Sequence, residues 1–190
     1  MKKILIHHHH TFEKIENKFY TSSNIGLWAN DLTRFFKVGL LIHESRKKRQ
    51  INDTRILSTI KIHSLGFEGR RWDRLKRIKR IKDVCKSLSY KYDVLIIRGI
   101  TPRQYTIFKN YKVKNVFFLM VGSIKDSKPN IYYLFKNPYS YIMHFWRKYE
   151  LKKISKNSFV LANSTIVAEE LKDYLALEEI GVYSTNVLSL

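Results

Sequence analysis

Short, fully apolar runs alternate along the chain with stretches whose apolar residues recur every three or four positions. The first kind of pattern reads as buried strand and the second as amphipathic helix. Residues 3–7 read as a first strand, followed by a polar loop over 8–24. Residues 25–36 read as a helix with Leu27, Trp28, Leu32 and Phe35 on one face. Residues 38–42 and 56–62 read as second and third strands, separated by the basic stretch Arg46-Lys47-Lys48-Arg49. A long helix over 71–88 places Leu75, Ile78, Ile81, Cys85 and Leu88 on one face. Residues 93–97 form a fourth strand, and a short helix over 103–111 begins after Pro102. Residues 116–121 form a fifth strand, and 131–154 are helical with a break near Pro138. A sixth strand over 159–162 leads into a helix over 165–175, capped by Asn163 or Ser164.

Strands that are apolar throughout, alternating with helices, imply an α/β fold: a mostly parallel sheet with helices on both faces. The expectation is a single Rossmann-like domain spanning residues 1–190. Such sheets bind ligands in the crevice beyond the carboxyl ends of their strands, so the residues just after each strand are the ones to inspect.

Composition narrows the picture. Seven glycines and three prolines are too few for an all-β fold rich in tight turns. The single cysteine, Cys85, excludes an internal disulfide framework and a cysteine-rich zinc site. No run approaches the roughly 20 apolar residues of a membrane span. The start, Met1-Lys2-Lys3-Ile4-Leu5-Ile6, runs into four histidines and lacks the apolar core of a signal peptide. A cytoplasmic location is expected. Charge changes the picture most: 36 Lys+Arg oppose 16 Asp+Glu, for a net +20. That excess favours a polyanionic partner, either an anionic membrane face, a phosphorylated substrate or nucleic acid. Zinc-finger spacing, an aromatic RNA-binding strand signature and a helix-turn-helix pattern are all missing, so nucleic acid is the less favoured of the three.

Three segments carry a resemblance. They are Tyr92-Asp93-Val94-Leu95-Ile96-Ile97-Arg98-Gly99; Val116-Phe117-Phe118-Leu119-Met120-Val121-Gly122-Ser123, followed by a long aromatic and basic helix; and Phe159-Val160-Leu161-Ala162-Asn163-Ser164, followed by Glu169-Glu170-Leu171. In this order and spacing the chain resembles the N-terminal domain of the large retaining family of GT-B fold glycosyltransferases, particularly members that build polysaccharides. The chain differs from that family in two ways. Tyr20-Thr21-Ser22-Ser23-Asn24-Ile25-Gly26 stands where members carry a Gly-Gly-type loop. The family's second domain, with its nucleotide site and paired glutamates seven residues apart, has no counterpart here. The resemblance therefore implies an acceptor-side half, inactive alone. Its nucleotide-sugar donor would be held by a missing domain or a second chain, with no cofactor in this chain. The alternatives are a basic nucleic-acid-binding protein and a non-enzymatic, degenerate relative.

The candidate acceptor or phosphate cleft comprises Thr21, Ser22, Ser23, Asn24 and Gly26, with Arg98 after strand four and Gly122 and Ser123 after strand five. Amides at a helix start favour anions, a guanidinium forks onto phosphate, and glycine admits a ligand close to the backbone. The resemblance transfers no catalytic residue. His7, His8, His9 and His10 have no carboxylate or cysteine at fixed spacing. Consecutive residues of an extended segment face opposite sides, so no metal is expected there. The basic helix offers Arg70, Arg71, Trp72, Arg74, Lys76, Arg77, Lys79 and Arg80 to an anionic membrane, at ~1 kcal/mol per basic residue. The expected partners are a sugar or lipid-linked acceptor and the inner face of a membrane, with the chain peripheral to it.

Overall fold

The computed structural model describes residues 1–45, 53–67, 74–99, 103–122 and 138–182, of which 74–76 and 138–143 are described by backbone alone. Among these residues the chain is α/β, with nine strands and five helices, and its sheet is mixed and mostly parallel. It divides into two compact units, Met1–Val116 and Phe117–Leu190.

The first unit is built around β1 (Lys3–Ile15). Its first half pairs in parallel with β3 (Lys37–Glu44) on one edge and β6 (Val94–Arg98) on the other. Strand β5 (Lys61–Phe67) extends the sheet from β3, also in parallel. The order β5-β3-β1-β6 is the strand order of one half of a doubly wound nucleotide-binding sheet, compatible with a Rossmann-like fold. Alternate residues face opposite layers. Ile4, Ile6, Val38, Leu40 and Ile42 pack with Ile25 and Ala29 of helix α1 (Ser23–Leu32). On the other face Leu5, Leu41, Leu65, Leu95 and Ile97 are buried. Helix α2 (Arg74–Leu88), which packs on β5 and on α3 (Gln104–Asn110), buries Ile81, Cys85 and Leu88.

Three sequence expectations for this unit need correction. The polar stretch after residue 7 is not a loop. It is the second half of β1, turning at Glu16 and Asn17 into the antiparallel strand β2 (Lys18–Ser22). Both turn residues have positive φ, 45° and 63°, as a two-residue hairpin turn of matching twist requires. Strand β4 (Asp53–Arg55) pairs antiparallel with β2. The third strand lies later than read, because Ile56 and Ile60 are core residues of a connection and not of a strand. Helix α1 turns Ile25 and Ala29 inward, whereas Leu27 and Phe35 are exposed.

The second unit carries most of β7 (Asn115–Met120), α4 (Pro138–Ser155), β8 (Phe159–Ala162), α5 (Thr165–Leu175) and β9 (Gly181–Val182). β7, β8 and β9 pair in parallel, and α4 packs on α5. Ser164 is the α5 cap: its hydroxyl accepts the Val167 amide at 3.3 Å. Pro138 opens α4 at the first-turn position where its missing N–H costs nothing, and 131–137 lie outside the described residues. No helix among the described residues is long and apolar enough to cross a membrane.

Gly39 sits in β3 with the Tyr92 ring where a Cβ would stand. Gly39→Ala therefore forces either the ring or the strand to move, and is expected to cost about 1–3 kcal/mol. Denaturant unfolding of the two proteins would measure it; equal midpoints would mean that the ring is free to swing away.

Candidate functional site

Strands β1 and β6 are neighbours whose chains leave for opposite faces of the sheet, α1 following on one and α3 on the other. Their carboxyl ends therefore border the crevice in which such sheets hold ligands. The last rung of that pairing joins His8 to Arg98. Four residues later Phe12 is already paired with Thr21 of β2. Between the two, the opposite edge loses register as well. His7 lies across from Leu41 and Thr11 across from His43, so the β1 backbone spends two extra residues there. Such a bulge suspends the alternation of side chains.

The outcome is a cluster. The rings of His8 and His9 stack with centroids 4.3 Å apart, and those of His8–His10 and His9–His10 lie 4.6 Å and 4.4 Å apart. One nitrogen from each of the three falls within 4.8 Å of the others. The strict alternation assumed from sequence would have scattered them. His7 stays apart and inward, its Nδ1–H donating to the Leu41 carbonyl at 2.8 Å. Nδ1 of His8 accepts the His10 amide at 3.1 Å.

All four rings have their pKa lowered from the usual histidine value. Burial pushes His7 down to about 4 against the pull of its backbone hydrogen bond. Burial, with His9, His10 and Arg98 adding to it, takes His8 to about 2. His9 is lowered by burial and then by Arg98. His10 is lowered by burial, His9 and Arg98, and Asp53 works in the opposite direction.

Arg98 is half-buried with its guanidinium 5.3 Å from the Trp28 ring centre, an arrangement that fixes the cation over the first helix. Gly99 follows with φ +76°. A Cβ there would come to 3.8 Å from His9 Nδ1. Trp28, Gly99 and the three converging rings are the residues that sequence reasoning missed. Their one legible signal was four histidines between an all-apolar strand and an alternating segment.

The cleft residues named from sequence divide. Thr21 is buried and its hydroxyl donates to the Thr11 carbonyl at 2.9 Å, so it holds the hairpin together. Ser22 caps α1 by position without a side-chain cap bond. Its Oγ is buried with no hydrogen-bond partner among the described residues. Ser23 opens α1 and Asn24 is exposed. Gly26 serves packing: a Cβ there would meet Thr54 of β4 at 2.8 Å. Gly122 belongs to the second unit, exposed, with φ +91° and open space around it. Ser123 lies outside the described residues, as do Arg70, Arg71 and Trp72. Arg74 and Lys76 lie on α2, described there by backbone alone. Lys79 and Arg80 are exposed and Arg77 half-buried; Arg80 runs along Gly66 of β5, so part of its side chain is packing.

A hollow of about 910 Å³ opens at the other end of the sheet, lined by Lys3, Lys37, Lys61, Lys91 and His63 among others. It lies at the amino ends of the strands, away from the histidines and Arg98. The polar convergence at the carboxyl ends makes the better site, because parallel sheets present their ligand crevice there. No protein-family model matches the sequence, and neither does any curated protein.

The neutral histidines link stability to pH. The unfolded chain takes a proton on each near pH 6.5, whereas folded His7 resists until about 4. Between these values the unfolded state binds more protons, so stability is complete above pH 6.5 and declines as pH falls. His7 alone contributes on the order of 3 kcal/mol over that window. Unfolding midpoints in metal-free buffer should fall between pH 7.5 and 5, and less steeply for His7→Leu. A flat profile for the parent protein would refute the assignment.

Proposed function

We propose that this chain is the acceptor-binding half of a GT-B type glycosyltransferase. It would help move a sugar from a nucleotide-sugar donor to a polysaccharide or lipid-linked acceptor. The observation that carries the reading is Arg98, held over Trp28 at the last rung between β1 and β6, at the mouth of a parallel β5-β3-β1-β6 sheet. A fixed guanidinium in that crevice suits a phosphate on the acceptor or donor. The α1 start adds donors at the same end of the sheet: the Ser22 hydroxyl has no hydrogen-bond partner among the described residues and makes no cap bond.

The chemistry assigned to this half is placement. It would hold the acceptor hydroxyl in line with the anomeric carbon, where positioning alone is worth several kcal/mol of barrier. A second domain or partner chain would hold the nucleotide sugar and stabilise the leaving diphosphate. Alone, the chain is expected to hydrolyse no sugar nucleotide.

The membrane part of the reading rests on charge. Lys79, Lys82 and Lys86 form an exposed basic edge on α2. Phe145, Trp146 and Tyr149 are exposed on α4, where Lys153 lies 5.5 Å from the Tyr149 ring centre. Such surfaces suit a peripheral, cytoplasmic-face association with anionic lipid.

Binding to a polyprenyl-phosphate-linked oligosaccharide tests the reading. Arg98→Ala should weaken it about 10- to 100-fold, the worth of one charge-assisted hydrogen bond. Equal binding by both proteins would defeat the proposal. So would a preference for duplex DNA with a steep salt dependence.

A further inference from the structure

We propose that His8, His9 and His10 form a transition-metal site, three imidazole nitrogens on one side of an ion whose remaining positions face the crevice. The inference stands apart from the glycosyltransferase reading and survives its failure.

Geometry is the first support. A tetrahedral Zn²⁺ sits about 2.0–2.1 Å from each imidazole nitrogen, which puts its ligands roughly 3.4 Å from one another. The three nitrogens already lie within 4.8 Å of one another, so small turns of the rings complete the set. The bulge between His7 and Thr11 has already gathered the side chains, and the ion need not fold the site. Gly99, bare of a side chain beside His9, leaves room for that ring to turn.

The ligand chemistry is the second support. A metal binds imidazole through the lone pair of a ring nitrogen, and each of the three rings brings one such nitrogen into the cluster. The His10 amide competes for His8 Nδ1 at 3.1 Å, a hydrogen bond worth about 1 kcal/mol. An all-nitrogen set selects Zn²⁺, Cu²⁺ or Ni²⁺ and offers little to Ca²⁺ or Mg²⁺, which prefer oxygen.

The charges facing the site sharpen that choice. Arg98 places positive charge against all three rings, and Asp53 opposes it at His10. The net field therefore disfavours a cation, and affinity must come from the nitrogen lone pairs. An ion here would leave an open position near the Arg98 guanidinium, where an anionic ligand meets positive charge from both.

The test is titration of the tag-free protein with Zn²⁺ and with Co²⁺. One equivalent should bind, raise the unfolding temperature by several degrees, and give the intense visible Co²⁺ bands of a low-coordinate site. His9 is exposed and His10 half-buried, so His9→Ala and His10→Ala should fold normally. Each should lose at least about tenfold in affinity, a loss that even an outer-sphere partner can cause. His144→Ala, remote in sequence, should bind as the parent does. Stoichiometric binding lost in the first two variants and kept in the third establishes the site. Binding without thermal stabilisation would show that the metal binds the unfolded chain at least as well as the folded one, and would overturn it. Equal affinity in all four proteins would overturn it too.

Discussion

The first unit depends on the backbone obligations of one strand. From Ile4 to His8, β1 is buried on both faces and flanked on both edges, so the amides and carbonyls there need partners that water cannot supply. Its first half finds them in β3 and β6. β6 ends at Arg98, and from Phe12 onward β2 takes over on that edge with opposite polarity. One strand cannot pass from a parallel to an antiparallel neighbour without an interval in which neither ladder is regular. His8, His9 and His10 occupy that interval. Their convergence beside Arg98 goes with this change of partner and with the loss of register against β3. Nothing in imidazole chemistry alone would have produced it.

The parts of the fold legible in sequence are the ones where both faces of an element are apolar, or one helical stripe is. β6, β7 and β8 and helices α2, α3 and α5 lie within a few residues of their expected places for this reason. The hairpin was illegible because its exposed face is polar and its turn, Glu16-Asn17, lacks the glycine that usually announces such a turn. β5 was displaced because it carries His63 and Ser64 in half-buried positions. Those polar groups are tolerated through partners distant in sequence: His63 bonds the Tyr92 hydroxyl at 2.5 Å, and Ser64 donates to Glu44. A linear reading penalises such residues because it cannot see the partner. The candidate site was half legible. Arg98 and the start of α1 were found from their position after a strand, whereas the histidine cluster depends on a register change that no period reveals.

Two ion pairs among the described residues contribute little to holding the fold. Arg34–Asp31 at 3.6 Å and Lys172–Glu169 at 3.3 Å are one-turn pairs at the surface, each worth a fraction of a kcal/mol. Cohesion comes instead from side chains such as Leu5, Ile6, Leu40, Leu95 and Phe118, each fully buried and worth about 1.5–3 kcal/mol. Fold and charge are thus largely separable here. The excess of lysine and arginine can follow the needs of a partner without disturbing the core.

Strand β2 ends at Ser22 and helix α1 begins at Ser23, with no residue between them. A single inserted residue would rotate the helix by about 100° about its axis. Ile25 and Ala29 would then swing off the core, and Trp28 away from Arg98. Chain length at this joint is frozen, so any hinge that opens the crevice must lie in another segment.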